Sequence, residues 1–159
     1  VNPADPSAHS NLALALRDLG RLDEALASLD RALSIRADHV QAHNNLGQIL
    51  ERQRQFEAAA AEYRLAVEGH PTFRLARFNL GRMLLALGRN DEAIAELQKL
   101  LQPQDSETPR YMFGLSAAYL RAGQRDQAVK WATEARRLAL EYGQQELAAI
   151  IERDLAKIK

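Results

Sequence analysis

The chain of 159 residues contains no cysteine and has no excess of either charge. Without cysteine it cannot form disulfides, use a thiolate in catalysis or hold zinc or an iron–sulfur cluster through sulfur. Its 21 lysines and arginines are balanced by 21 aspartates and glutamates, so no net field attracts nucleic acid or an acidic membrane surface. We therefore expect no nucleic-acid partner, and any charge preference must be local.

The sequence also lacks the segments that mark membrane proteins and common enzymes. No run approaches the ~18 consecutive apolar residues that a membrane-spanning helix needs, and the first residues do not resemble a signal peptide. Phosphate-cradling glycine loops, zinc-protease helices and nucleophile elbows are missing too. We expect a soluble, non-catalytic chain without membrane contact, cofactor or metal. The cytoplasm is slightly favoured, although the lack of cysteine leaves the compartment open.

What the sequence does contain is a repeat with a period of 34 residues. An Asn-Leu pair and a later alanine recur at this spacing: Asn11, Asn45 and Asn79, then Ala25, Ala59 and Ala93. A constant period of this length indicates one supersecondary element stacked many times. Apolar residues within each repeat follow helical spacing over two segments. The pattern predicts an all-α solenoid of helix-turn-helix repeats, a fold that offers contact surface rather than a catalytic pocket.

Glycine occupies the turn between the two helices in the first, third and fourth repeats, at Gly20, Gly88 and Gly123. The residue that follows a helix often adopts the left-handed conformation, which glycine reaches at least cost. The second repeat has Arg54 at this place. If its turn keeps the same backbone, Arg54 costs roughly 1 kcal/mol relative to glycine.

The second repeat also carries the most complete set of recurring residues: His43, Leu46, Gly47, Leu50, Ala59, Tyr63 and Pro71. This set resembles the tetratricopeptide repeat family, whose first helix carries Leu-Gly between large residues and whose second carries alanine, an aromatic and a closing proline. The resemblance implies a right-handed α-solenoid with repeats at about 6–39, 40–73, 74–108 and 109–142, and a capping helix at about 144–158. These segments together form one tetratricopeptide domain.

The two ends of the chain differ from the repeats. The last segment has an apolar stripe made of Leu147, Ile150, Ile151, Leu155 and Ile158. We expect this stripe to cover the fourth repeat, which has Trp131 where the other repeats are polar. At the other end, Pro3 stands where Pro71 closes the second repeat, and there is no initiator methionine. We therefore expect a piece of a longer protein.

In the resembled family, the first helices of successive repeats line a concave groove that binds extended peptides or helices of partner proteins. Asn11, Asn45 and Asn79 would stack along that wall, as in the similar asparagine ladder of the O-GlcNAc transferase superhelix. Because an asparagine side chain both donates and accepts, such a column can hold a peptide backbone bidentately. The alternative is that these asparagines make hydrogen bonds between repeats.

Further groove candidates are basic, polar or aromatic residues of the first helices: Asn44, Gln48, Arg17, Arg82, Phe78, Arg110 and Phe113. They suit a protein or peptide ligand with acidic flanks and an apolar anchor, which Phe78 and Phe113 would select. Three alternatives stay open. The arginines are merely solvated, the surface packs on a second copy as a homo-oligomerisation module, or the chain presents substrates to a larger enzyme.

Two special sites are not supported. Chaperone-binding members of the family use a carboxylate clamp, whose cationic positions fall here on Ser10, Leu75 and Asn79. Only Asn45 agrees with that clamp. The histidines His9 and His43 share the repeat spacing, but they stand where the family has a packing residue, about one repeat apart and too far to share an ion.

Overall fold

The structure, a computed structural model, describes residues 4–158, so Pro3 lies outside the described residues. Every regular element in this range is an α-helix. The helices are α1 (Pro6–Asp18), α2 (Leu22–Ile35), α3 (Val40–Arg52), α4 (Phe56–Gly69), α5 (Arg74–Ala86), α6 (Asn90–Gln98), α7 (Thr108–Arg121), α8 (Arg125–Glu141) and α9 (Gln145–Ile158). The predicted all-α fold is confirmed. None of these helices combines the length and the apolarity needed to cross a bilayer.

The contacts divide the chain into two compact units, the N-terminal unit Val1–Met83 and the C-terminal unit Leu84–Lys159. The boundary falls inside α5. Within the N-terminal unit, α1 packs against α2, α3 against α4, and α3 also contacts α1 and α2. Within the C-terminal unit, α7 packs against α6 and α8, and α9 packs against α8.

Small apolar residues build the core of the N-terminal unit where α1, α2 and α3 meet. Its buried members are Ala13, Leu16, Ala25, Leu29, Ala32, Ala42 and Ile49. Alanine ends at Cβ, so helices that meet at alanine approach closely and fill the space between them with few voids. The recurring alanine of the sequence is therefore explained by packing, since Ala25, Ala59 and Ala93 are all fully buried.

The core of the C-terminal unit includes the last helix. Its buried members are Met112, Ala132, Ala135, Leu138, Ile151 and Leu155, with Trp131 and Leu147 packed against them. Ile151 and Leu155 belong to α9, which therefore contributes to the core instead of lying outside it. Trp131 packs against this cluster and is partly buried.

The turns keep one backbone conformation in all four repeats. Gly20, Gly88 and Gly123 have φ values of 76°, 75° and 75°, and Arg54 has a φ value of 62°. The sequence left open whether Arg54 keeps the backbone of the glycine turns, and the structure shows that it does. Residues other than glycine rarely adopt this left-handed conformation, because their Cβ crowds the following carbonyl oxygen.

Replacing Arg54 with glycine is expected to stabilise the protein by roughly 1 kcal/mol, because glycine adopts this backbone conformation without that crowding. Arg54 is exposed, so little packing is lost with its side chain. The measurement is urea unfolding followed by circular dichroism. The matched control is Gly88→Ala, whose new Cβ meets no atom within 4 Å, so that it isolates the backbone cost and should destabilise by a similar amount. A lower urea midpoint for Arg54→Gly than for wild type would contradict the claim that the backbone of Arg54 is strained.

Candidate functional site

The asparagine column lies where the first helices of the N-terminal unit meet. Asn45 in α3 donates from Nδ2 to the Ser10 Oγ of α1 at 2.9 Å, and Asn79 in α5 donates to Asn44 Oδ1 at 3.4 Å. Asn44, Asn45 and Asn79 are only 4–5% exposed, whereas Asn11 is exposed. The amides of Asn45 and Asn79 thus point toward neighbouring helices. This geometry favours hydrogen bonding between repeats for these two residues.

A second row of polar side chains runs across the same three helices. Arg17 of α1 donates to the Oε1 of Gln48 in α3, and Arg82 of α5 contacts Glu51 Oε1 of α3 at 2.6 Å. Tyr63 of α4 donates its hydroxyl to the other Glu51 oxygen at 3.1 Å. Burial, and then the charge of Glu51, raise the pKa of Tyr63, so the phenol stays protonated as a donor. The row is therefore held by contacts between side chains.

Not all of the groove residues predicted from the sequence are accessible to a ligand on the first helices. Arg82 has 44% of its side chain exposed, and Arg52 and Leu75 are exposed as well. Phe78, predicted to select an apolar anchor, is only 5% exposed, so little of its ring meets solvent. Leu75 is thus the more accessible apolar side chain of α5.

An open pocket of about 330 Å³ lies in the C-terminal unit between α7 and α9. Its lining residues are Phe113, Ser116, Ala117 and Leu120 from α7, Arg125 from α8, and Asp154, Lys157 and Ile158 from α9. Phe113, which the sequence analysis named as a groove residue, is half-buried and lines this pocket. Arg110, the other α7 candidate, does not line this pocket. Its Nη1 lies 3.8 Å from Glu107 Oε2.

The sequence interpretation missed Arg125, Lys157 and Ile158 as pocket residues. Ile158 lies on the same helical stripe as Ile151, but that stripe was assigned entirely to the core. Its periodicity shows one apolar face without showing which of two neighbouring helices each end of the face meets. The pocket depends on how α7 and α9 are placed in the folded chain, which periodicity does not show.

Both ring nitrogens of His43 lie within hydrogen-bond distance of other groups of the protein. His43 Nδ1 lies 2.7 Å from Glu62 Oε2, and its Nε2 lies 2.8 Å from the carbonyl oxygen of Ala37. Over residues 4–158, no three His, Cys, Asp or Glu side chains are grouped to hold a metal ion. His43 therefore connects α3 to α4 and to the turn before α3, which is a structural role.

His39 caps the start of α3. Its Nδ1 accepts the backbone N–H of Ala42 at 3.1 Å, and its Nε2 lies 3.1 Å from Ser7 Oγ. Because a backbone N–H only donates, Nδ1 must be unprotonated and the imidazole neutral. Burial, and then the charge of Arg36, lower the pKa of His39, against smaller opposite effects from its own backbone and from Asp5 and Asp38.

This cap predicts that acid weakens the N-terminal unit. A lowered pKa means that the folded protein binds fewer protons than the unfolded chain, so stability rises with pH. The contribution of His39 is complete above about pH 6.5 and is lost as the pH falls from 6.5 through the folded-state pKa. His39→Asn keeps a capping acceptor that does not titrate, and its stability should fall less over this range. Equal losses for wild type and His39→Asn, measured by urea unfolding at several pH values, would contradict the prediction.

Comparisons with known proteins agree with this architecture. A model of the tetratricopeptide repeat matches residues 1–39, 10–72 and 45–108, and a second tetratricopeptide repeat model matches residues 109–133. The cellulose synthase operon protein C of Pseudomonas fluorescens (strain SBW25) is 32% identical over 115 residues. That alignment covers 67% of this chain but only 9% of the length of that protein.

Solved structures share the fold. The crystal structure of MamA has a TM-score of 0.80 at 22% identity, covering 90% of this chain and 83% of that chain. YrrB, described as a TPR protein with an unusual peptide-binding site, has a TM-score of 0.76 at 18% identity, covering 99% and 88%. The family models span most of the sequence, and the chain therefore belongs to the tetratricopeptide repeat family, whose members generally mediate interactions between proteins.

Proposed function

We propose that this chain is a non-catalytic recognition module that binds an extended peptide or a helix of a partner protein on the first helices of its repeats. The observation that carries the proposal is the polar row across α1, α3 and α5. The contacts of Arg17 with Gln48 and of Arg82 with Glu51 join three first helices into one surface. A ligand that crosses this surface meets several helices at once, in the manner general to the family.

The row is preorganised, which supports binding. Its side chains are held by one another before a ligand arrives, so less conformational entropy is lost on binding. In this proposal Asn45 and Asn79 keep the helices in register through Ser10 and Asn44. Contact with the ligand backbone then falls to Asn11, the exposed member of the column.

The ligand we propose is acidic, with an apolar anchor. Arg52 is exposed without a carboxylate partner in the described part of the chain, and Arg82 keeps 44% of its side chain exposed although it pairs with Glu51. Local positive charge on a neutral protein favours acidic ligands through their approach and orientation. Leu75, exposed at the start of α5, supplies the apolar contact.

The test is selection of extended peptides from a random library, followed by binding measurements on charge variants. We expect acidic peptides whose affinity for Arg82→Gln falls severalfold and whose binding weakens as salt increases. The matched control is Arg31→Gln, which removes an exposed arginine from α2 and should bind as wild type does. Failure to enrich any peptide, with a dimer found by sedimentation equilibrium, would overturn the proposal in favour of a homo-oligomerisation module.

A further inference from the structure

The pocket of the C-terminal unit is apolar inside and charged at its edge. Phe113, Leu120 and Ile158 supply apolar surface from α7 and α9. The one hydroxyl among the lining residues is already used, since Ser116 Oγ donates to the carbonyl oxygen of Ala128 at 2.7 Å. A group that enters this pocket therefore meets no free neutral donor, and an apolar group gains most from the burial.

The volume of the pocket limits what can enter. About 330 Å³ lies at the lower end of the range of roughly 300–1,000 Å³ that is usual for ligand sites. This space suits one large side chain with its flanking backbone, and it is too small to admit part of a folded domain. The pocket is open to solvent along the exposed side of α7, where Ala117 and Leu120 lie, so a segment of polypeptide can reach it.

The charges at the edge select an acidic neighbour for that side chain. Lys157 Nζ lies 2.8 Å from Asp154 Oδ1, so these two largely neutralise each other. Arg125 is exposed and has no carboxylate partner among the residues that the structure describes. The edge thus keeps one uncompensated positive charge beside an apolar interior, which is complementary to a carboxylate next to an apolar group.

We propose that this pocket binds a short segment of a partner protein in which one large apolar side chain stands next to an aspartate or glutamate. The apolar side chain packs between Phe113, Leu120 and Ile158, and the adjacent carboxylate pairs with Arg125. This inference deepens the proposed recognition function and rests on it, but it assigns a site in the C-terminal unit that is separate from the polar row of the N-terminal unit.

The experiment uses dodecamer peptides selected from a random phage library on the whole chain. Peptides that bind through the pocket should contain Leu, Met or Phe beside an acidic residue. Their affinity should fall at least about tenfold for Ala117→Phe, which fills the pocket from an exposed helical position, and severalfold for Arg125→Gln. Replacing the apolar residue of the peptide with alanine should cause a similar loss.

Matched controls separate the pocket from general surface effects. Ala149→Phe and Arg153→Gln make the same changes at exposed positions of α9 that do not line the pocket, and both should bind as wild type does. Fluorescence of Trp131, the single tryptophan, checks that each variant keeps its C-terminal core.

The possible failures are distinguishable. If selected peptides bind Ala117→Phe as tightly as wild type and respond to Arg82→Gln, the pocket inference is overturned while the recognition function stands. If no peptide is enriched, both fail. If wild type is a dimer that Ala117→Phe dissociates, the occupant is a second copy of this chain, and the peptide inference is overturned.

Discussion

Replacing Gly47 with alanine is expected to destabilise the protein by about 1–3 kcal/mol, although alanine is ordinarily the better helix former. Gly47 lies in the middle of α3, where a Cβ would lie 2.7 Å from Cε1 and 2.8 Å from Cδ1 of Tyr63. The Tyr63 ring is fully buried and its hydroxyl is bound to Glu51. The ring cannot yield without loss of that hydrogen bond or displacement of α4, so overpacking outweighs the helical preference.

The control for this prediction is the same change in a Tyr63→Leu background. Leucine lacks the ring atoms that Cβ would meet, so Gly47→Ala should there be neutral or stabilising, by up to about 1 kcal/mol. Tyr63→Leu itself removes buried volume and lowers the free energy of unfolding. The cycle therefore compares the change caused by Gly47→Ala in the two backgrounds. Urea unfolding followed by circular dichroism measures all four proteins. Equal costs of Gly47→Ala in both backgrounds would show that the ring contact does not cause the loss.

Replacing Ile151 with alanine is expected to destabilise the C-terminal unit by about 2–5 kcal/mol. Ile151 has no exposed surface and contributes to the core that α9 shares with α7 and α8. The change removes buried methyl and methylene groups and leaves a cavity beside Met112 and Leu138. The neighbouring Ile150 is 46% exposed, so Ile150→Ala should alter the unfolding free energy by about 0.5 kcal/mol or less.

This pair of adjacent isoleucines tests whether α9 is part of the core. Trp131 packs against the same cluster and is the single tryptophan, so its fluorescence in urea reports the unfolding of this unit. Equal effects of Ile151→Ala and Ile150→Ala would mean that α9 does not pack as described. A shift in the urea midpoint for Ile151→Ala alone agrees with the structure.

The repeat period was enough to predict the fold. Positions that recur every 34 residues serve the same purpose in each repeat, so Ala25 and Ala59 are buried alike and Gly20 and Gly88 turn alike. The turn at Arg54 has the same left-handed backbone although its residue type argues against it. Local conformational preference yields here to the packing of the helices on both sides of the turn.

The direction of individual side chains could not be predicted in this way. The sequence left open whether Asn45 and Asn79 present their amides to a ligand or to a neighbouring repeat, because this depends on how the helices cross. Ser10 happens to offer a hydroxyl within reach of Asn45. Similarly, Phe78 is covered by its surroundings, and only Ile151 of two adjacent isoleucines faces the core.

The pocket between α7 and α9 illustrates the same limit for a candidate site. Phe113 was predicted as a groove residue from its place in the repeat, and it lines the pocket. Arg125 and Ile158 come from helices outside that repeat position, and no period connects them with Phe113. Their proximity is a property of tertiary packing, and so is the charge complementarity that the proposed ligand depends on.

The most direct test of a recognition module is to map where selected peptides bind, by amide chemical-shift changes in NMR spectra of the labelled chain. We predict that the changes concentrate on the first helices of the repeats and on the pocket, at positions such as Gln48, Arg82, Phe113 and Leu120. Changes confined to the second helices α2, α4, α6 and α8, or no change at peptide concentrations well above micromolar, would contradict the account.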